Sequence, residues 1–321
     1  TPIYKFLKKN LKTNVYFFIG DIDNKTKNKF SYLKEGEVVL LENIRFFKQE
    51  SENEDNFAKI LASLGDIYIN DAFSCCHRKQ ASVHKIAKYV KESYAGPLLK
   101  KEISAINSIV LNKVEPVTCI IGGSKISTKI KVLSNLIKKV NNILIVGAMA
   151  NNFLVFKGLE VGKSLVENNT EKTIEEIYNQ AKKYNCKVII PTDYNVSKDL
   201  NGSGIIKSDK NVEKDEMILD IGPETIKNIE KIIDNSKTVL WNGPAGYFEN
   251  NQFSVGTQAI AKKISENTEK KSLHSIIGGG DTISAINKNN KDFYFTHLST
   301  AGGAFLEFLE GKDLPGLNVL K

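Results

Sequence analysis

Arginine is almost missing from this chain: of 45 basic residues only Arg45 and Arg78 are arginines, and lysine supplies the rest. Long apolar runs are missing as well. No 18-residue apolar stretch is present that could span a membrane as a helix, and no charged n-region leads into an apolar h-region as in a secretory signal. Cysteine is scarce, with Cys75, Cys76, Cys119 and Cys186 the only four. None is spaced as CxxC and the adjacent pair is poorly placed to bridge, which argues against a disulfide framework or a zinc site. They read as reduced thiols, small buried apolar side chains of a cytoplasmic protein. There is no GxSxG elbow, no HExxH and no paired-carboxylate arrangement, so hydrolase chemistry finds no support.

What is present is an ordinary globular composition, 41% hydrophobic and 26% charged, over 321 residues, a length that suits two domains. The net charge of +8 invites a nucleic-acid partner. The lysines are scattered, however, in short pairs such as Lys138-Lys139, Lys182-Lys183 and Lys262-Lys263. No RNA-binding aromatic signature, zinc-finger spacing or basic tail goes with them, and the chain is equally rich in asparagine. The charge reads as solvated surface, with neither nucleic acid nor membrane as a partner.

Short β-rich apolar runs alternate with segments of helical period, the pattern of parallel sheets covered by helices. In the first third the expected strands are 15–19, 37–41 and 67–70, with a helix at 56–64. An amphipathic run at 98–111 predicts a long helix, ended by Glu115-Pro116. Beyond it strands are expected at 117–121, 143–146, 188–190, 217–219, 238–241, 273–277 and 293–297. Helices are expected at 128–139, 171–184, 223–234, 256–266 and 282–288, and Pro223 suits a first helical turn. About three strands before the long helix make a thin sheet, as though the chain starts part-way through a domain.

Both arginines follow strand-like runs, where ligands of open α/β sheets lie. Their planar fork grips carboxylate or phosphate in a way a lysine cannot copy. The plain alternative is an ordinary ion pair; the matched positions point to a small anionic substrate. Three glycine-rich turns also follow strands: Gly122-Gly123-Ser124-Lys125, Gly278-Gly279-Gly280-Asp281-Thr282, and Ser299-Thr300-Ala301-Gly302-Gly303. Glycine lets backbone N–H groups approach an anion, and a helix N-terminus adds the positive end of a dipole. The first turn is not a Walker P-loop; Lys125 follows the glycines at once, and Lys129 is expected one helical turn further on the same face. Those lysines read either as surface charge or, given the glycine turn, as a phosphate site. A fourth element, Trp241-Asn242-Gly243-Pro244, leads to Glu249, a surface carboxylate or an acceptor for ribose hydroxyls. His77 beside Arg78 reads as an anion ligand or, the simpler reading, as a turn residue.

In these residues the chain resembles the phosphoglycerate kinase family. The matching strings run in family order: Leu41-Glu42-Asn43-Ile44-Arg45-Phe46, Asn70-Asp71-Ala72-Phe73 with His77-Arg78, the turn from Gly122 to Lys129, Asp220-Ile221-Gly222-Pro223, Trp241-Asn242-Gly243-Pro244, and the two later glycine turns. The resemblance implies two Rossmann-like α/β lobes with parallel sheets joined by a long connector helix, the first lobe incomplete. In numbers, that is a partial phosphoglycerate-binding lobe at 1–97, the connector at 98–112, a nucleotide-binding lobe at 113–300, and a segment at 301–321 returning toward the first lobe.

It implies Mg²⁺-dependent glycolytic phosphoryl transfer between 1,3-bisphosphoglycerate and ADP, giving 3-phosphoglycerate and ATP, by a cytoplasmic monomer. Arg45 and Arg78 would bind phosphoglycerate. Gly123, Lys125, Lys129, Asn242, Pro244, Glu249, Gly279, Gly280, Asp281 and Thr282 would bind nucleotide, with Asp281 on the metal. Lys129, Gly280 and Gly303 would attend the transferring group. The family's opening motifs, an Asp-x-Asn turn and a His-containing Gly-Arg turn, have no counterpart, so the alternative expectation is a fragment that binds nucleotide without turnover.

Overall fold

The computed structural model describes residues 1–110, 113–208, 212–288 and 292–320. Two compact units make up the chain: Thr1–Lys100 with Asp313–Lys321, and Lys101–Lys312. The division falls inside the helix Pro97–Val110; residue 111, which the sequence pattern assigned to that helix, lies outside the described residues.

The first unit holds two separate parallel pairs, β1 (Val15–Phe18) with β2 (Val38–Leu41), and β3 (Ile67–Asn70) with β4 (Glu92–Ala95). The helix Asp55–Ala62 turns Phe57, Ala58 and Leu61 inward, a spacing that keeps them on one face, and they pack with Ile22 and Ala81. Asp71, just past β3, accepts the Leu99 amide at 2.9 Å and so caps the first turn of the helix Pro97–Val110. The last described residues belong here too: the Gly316 amide donates to the Cys76 carbonyl at 2.8 Å, and a Cβ on Gly316 would lie 2.9 Å from the Cys76 Cα. The helix Pro2–Asn10 and strand β4 had no clear signal in the sequence pattern; the helix buries no residue at all.

The second unit is built on a six-stranded parallel sheet. Its strands are β5 (Val117–Ile121), β6 (Asn142–Ile145), β7 (Lys187–Ile189), then, after three strands of another sheet, β11 (Thr238–Asn242), β12 (His274–Gly278) and β13 (His297–Ser299). They lie in the order β13-β12-β11-β5-β6-β7. Counted among themselves this is the 3-2-1-4-5-6 order of a dinucleotide-type sheet, which reverses between β5 and β11. Every residue of β5 and β11 is buried, as expected of central strands with helices on both faces. Trp241, Ile120, Ile277, Ile260 and Ile264 anchor the core on one side. The intervening strands, β8 (Asp193–Ser197), β9 (Ile205–Ser208) and β10 (Met217–Ile221), form a small antiparallel sheet in the order β10-β8-β9.

Four expectations need correction. Residues 217–219 belong to that antiparallel sheet rather than to the parallel series, and β8 and β9 were not anticipated: Asp193 and Asn195 interrupt the apolar pattern of β8, and β9 is largely exposed. The strand expected at 293–297 begins only at His297. Phe293 and Phe295 do pack on the core, but the chain there is held by hydroxyls: the Tyr294 amide donates to Ser265 Oγ at 2.8 Å and the Thr296 amide to Ser275 Oγ at 3.0 Å. The helix expected at 128–139 is shorter, Ile130–Leu136. Residues 150–156, where no element was expected, form the helix Ala150–Phe156. All four cysteines are free, with Cys76, Cys119 and Cys186 buried. No helix among the described residues is long and apolar enough to cross a membrane.

One buried carboxylate joins the small sheet to the helix Pro223–Asp234. Asp193 accepts the Glu224 amide at 2.9 Å, the Thr225 amide at 2.7 Å and the Thr225 hydroxyl at 2.6 Å. It fills the capping role that the helix's own Gly222 cannot. Asp193→Ala strands those buried donors and should cost about 2–4 kcal/mol of stability in urea unfolding. Glu224→Ala at the exposed end of the same helix should cost less than about 0.5 kcal/mol. Equal midpoints for the two variants would contradict the assignment.

Candidate active site

The strand order reverses between β5 and β11, and in open α/β sheets the crevice beyond the carboxyl ends at such a point is where ligands bind. The two turns that leave these strands touch. The Gly122 amide donates to the Asn242 carbonyl at 2.8 Å. A Cβ on Gly122 would sit 2.3 Å from the Pro244 oxygen, and one on Gly243, whose φ is +100°, 2.3 Å from the Gly122 carbonyl carbon. No side chain fits at either position, and at Gly243 the backbone conformation requires glycine as well.

Asn242 is the hub of the crevice. Its Nδ2 donates to the Gly278 carbonyl at 2.8 Å, reaching the turn after β12, and its Oδ1 accepts from Lys129 Nζ. Thr282 closes the circuit: its hydroxyl donates to the Gly278 carbonyl at 3.0 Å and accepts the Gly243 amide at 2.7 Å. Gly279, with φ +101°, would place a Cβ 2.7 Å from Asn242 Nδ2. Three turns from three neighbouring strands are thus locked together by backbone groups and two buried side chains.

Beside this hub lies a cavity of about 390 Å³. Gly123, Pro244, Glu249 and Asp281 are in its wall, together with apolar side chains that include Leu154, Leu165, Met217, Leu219 and Phe248. Lys125, Lys129, Asn242, Gly279, Gly280, Thr282 and Gly303 are not wall residues. Gly280 and Asp281 open the helix Gly280–Asn287, where a Cβ on Gly280 would meet open space. Gly303 opens the helix Gly303–Leu309 after β13, the edge strand, two strands away from β11 and three from β5. The Glu249 backbone is pinned by Lys288, whose Nζ also donates to the Phe248 carbonyl at 2.7 Å.

The two lysines of the first turn are not a helical pair. Residues 124–129 are turns, and Lys129 sits at the N-cap of the helix Ile130–Leu136. Ile126 is fully buried there, which bends the chain away from helix. Lys125 is exposed, whereas burial draws the Lys129 ammonium down to about 8 against the opposing charge of Asp281.

Glu167 holds this loop from outside: it accepts the Ser127 amide at 3.0 Å and the Ser127 hydroxyl at 2.5 Å. Partial burial pushes its carboxyl up, but those bonds, with the Ile126 amide and the Lys125 charge, prevail and hold it below the usual range. Asp220, in the cavity wall, accepts the Gly256 amide at 2.8 Å and the Ile221 amide at 2.9 Å; burial pushes its carboxyl up to about 7 despite them. Sequence pattern singled out neither as a site residue, because each acts on backbone far along the chain. The Asp-Ile-Gly-Pro string was the one available signal for Asp220.

In the first unit the arginines follow β2 and β3, strands of different sheets. Arg45 is ion-paired with the fully buried Glu50, while its own side chain is 31% exposed. Arg78 is exposed, donates from Nε to His77 Nε2 at 3.3 Å, and has no carboxylate partner among the described residues. The ion pair expected as the plain alternative therefore exists at Arg45. It uses one edge of a five-donor group.

Comparison with known proteins agrees with this geometry over nearly the whole chain. The family model described as phosphoglycerate kinase matches residues 1–312. The phosphoglycerate kinase of Wolbachia pipientis wMel is 44% identical over 317 residues, covering 98% of this chain and 79% of that protein. That of Xanthobacter autotrophicus is 42% identical over 322 residues, covering 100% and 81%. Among solved structures, the phosphoglycerate kinase from Coxiella burnetii superposes with a TM-score of 0.89 at 37% identity, covering 99% of this chain and 80% of that one. The enzyme from Pyrococcus horikoshii OT3 gives 0.81 at 28% identity, covering 99% and 81%. With a switch-point crevice, a half-buried lysine and this extent of likeness, the chain belongs to the phosphoglycerate kinase family.

Proposed function

We propose that the protein transfers a phosphoryl group between 1,3-bisphosphoglycerate and ADP, with the nucleotide at the crevice of the second unit and phosphoglycerate held by Arg45 and Arg78 of the first. One observation carries the nucleotide assignment: a cavity with apolar and carboxylate walls adjoins a hub where Lys129 is drawn onto Asn242 at the strand-order reversal. The apolar wall suits a base, Glu249 the ribose hydroxyls, and the Gly279–Thr282 and Gly123–Lys125 turns the phosphates. In the reverse direction the acceptor is a carboxylate, ionised at neutral pH, so no general base is needed. Positioning and neutralisation of charge supply the rate. Lys129, charged and partly desolvated, stabilises the transferring group more strongly than an exposed lysine could. Gly280 and Gly303 leave backbone open to it.

The donor set also fits Mg²⁺. No group of three or more His, Cys, Asp or Glu gathers among the described residues, which suits a metal that takes one carboxylate and otherwise phosphate oxygens and water. Asp281, in the first turn of its helix and in the cavity wall, is that carboxylate. When bound, the ion neutralises phosphate charge. The same reading has the protein act as a monomer in the cytoplasm, apart from nucleic acid and membrane.

A coupled assay of the full-length protein with 3-phosphoglycerate and Mg·ATP should show turnover. Binding of ADP by folded protein without turnover would instead favour a nucleotide-binding role alone. Arg78→Lys and Arg45→Lys keep the charge and lose the fork. Each should raise the KM for 3-phosphoglycerate about 10–100-fold, or about 1.4–2.8 kcal/mol, with the nucleotide KM nearly unchanged.

Lys129 sets a pH limb. It is charged below about 8, so kcat/KM for nucleotide should fall as pH rises through about 8. Lys129→Arg remains charged and should carry that limb beyond pH 10, roughly, at a lower absolute rate. A limb that stays near its original pH in the Arg variant would assign it to another group.

A further inference from the structure

Glu50 is a fully buried carboxylate that has no part in the transfer described above. Enclosing such a charge is costly unless it is paired and hydrogen-bonded. Here three donors from two different segments meet it. Arg45, in the turn after β2, donates from Nη1 to Oε1. Ser82, four residues beyond Arg78, donates its amide to Oε2 at 2.8 Å and its hydroxyl to Oε1 at 2.6 Å. The Ser82 carbonyl in turn accepts the Tyr68 hydroxyl of β3 at 2.9 Å, which ties the segment to the strand that precedes Arg78.

The strands β2 and β3 do not pair with each other, so no backbone ladder sets the spacing between the two arginine-bearing turns. One carboxylate bonds both Arg45 and the segment that follows Arg78. A pair kept only for stability could be replaced by apolar side chains of similar volume with little loss. It would also not need to bond the backbone of Ser82, in the helical segment Ala81–Lys85 that follows Arg78.

We propose that Glu50 is a positioning residue for phosphoglycerate: it holds the Arg45 fork by one edge and fixes the segment that follows Arg78, so that the two guanidinium groups stand at the separation a small phosphorylated acid requires. This rests on the reading that both arginines bind phosphoglycerate. Arg45 keeps donors that Glu50 does not use, and its partial exposure leaves them open to a ligand.

The test uses Glu50→Asp, which keeps the charge and withdraws it by one methylene, and Ser82→Ala, which removes one of the three bonds. Both are made in the full-length protein, and melting temperature, kcat and both substrate KM values are measured. Glu50→Asp should raise the KM for 3-phosphoglycerate about 5–20-fold and Ser82→Ala about 2–5-fold, with kcat and the nucleotide KM within about twofold. In an Arg45→Lys background Glu50→Asp should add only about 2–5-fold, the share carried through Ser82, because the fork it holds is already gone. Unchanged phosphoglycerate KM in folded Glu50→Asp and Ser82→Ala, while Arg45→Lys and Arg78→Lys raise it, would overturn the positioning role and leave the substrate reading intact. Unchanged KM in the two lysine variants would overturn both. If Glu50→Asp does not fold, Ser82→Ala decides alone: a raised phosphoglycerate KM supports the proposal, and an unchanged one ends it.

Discussion

The contact between Gly122 and the Gly243-Pro244 turn is the constraint on which the second unit's site depends. β5 and β11 are parallel neighbours from which the chain winds outward to opposite edges of the sheet, and the crevice between their connections is open only if the turns themselves stay close to the sheet. Here they meet backbone to backbone, with no room for a single Cβ. Asn242 can then reach the third turn at Gly278, and Lys129 can reach Asn242. The lysine loses part of its hydration by being drawn to that hub, which is why its charge sits near the edge of the physiological range.

Carboxylates do much of the organising elsewhere, and in the same way. Asp193 caps the helix Pro223–Asp234, Asp220 takes amides at the start of the helix Val255–Glu269, Asp71 caps Pro97–Val110, and Glu167 binds the loop that carries Lys125 and Lys129. Each satisfies N–H groups that a helix start or a tight turn leaves without partners. Asp193 and Asp220 are buried in doing so, while Glu167 and Asp71 remain partly exposed. Glu50 differs only in that one of its partners is itself a charged side chain.

Much of the architecture was legible in the sequence. Largely apolar runs marked β5, β6, β11 and β12, and Pro223 marked the start of its helix to the residue. The runs failed where side chains other than the ladder hold the chain. Phe293 and Phe295 gave a strand signal because they pack on the core, yet serine and threonine hydroxyls take the place of inter-strand bonds there. Strand β8 was hidden because its buried positions include Asp193, a polar residue enclosed for its capping role. Of the site, the glycine turns and the two arginines stood out by type and position. Glu50 and Glu167 could not, since an acidic residue in an acidic or polar stretch carries no mark of what it will face.

By itself the sequence determined the alternation of strand and helix, the glycine turns and the rarity of arginine, because these are properties of neighbours along the chain: periodicity, backbone freedom and side-chain shape. Only the tertiary structure decided the strand order that puts the turns after β5, β11 and β12 in one crevice, the loop that parts Lys125 from Lys129, and the carboxylates that hold Arg45 and Ser127. Those pairings join residues from 5 positions apart, Arg45 with Glu50, to 113 apart, Lys129 with Asn242. Which distant group meets which is set by how strands are ordered and cores are packed, and that information is not carried by any short stretch of residues.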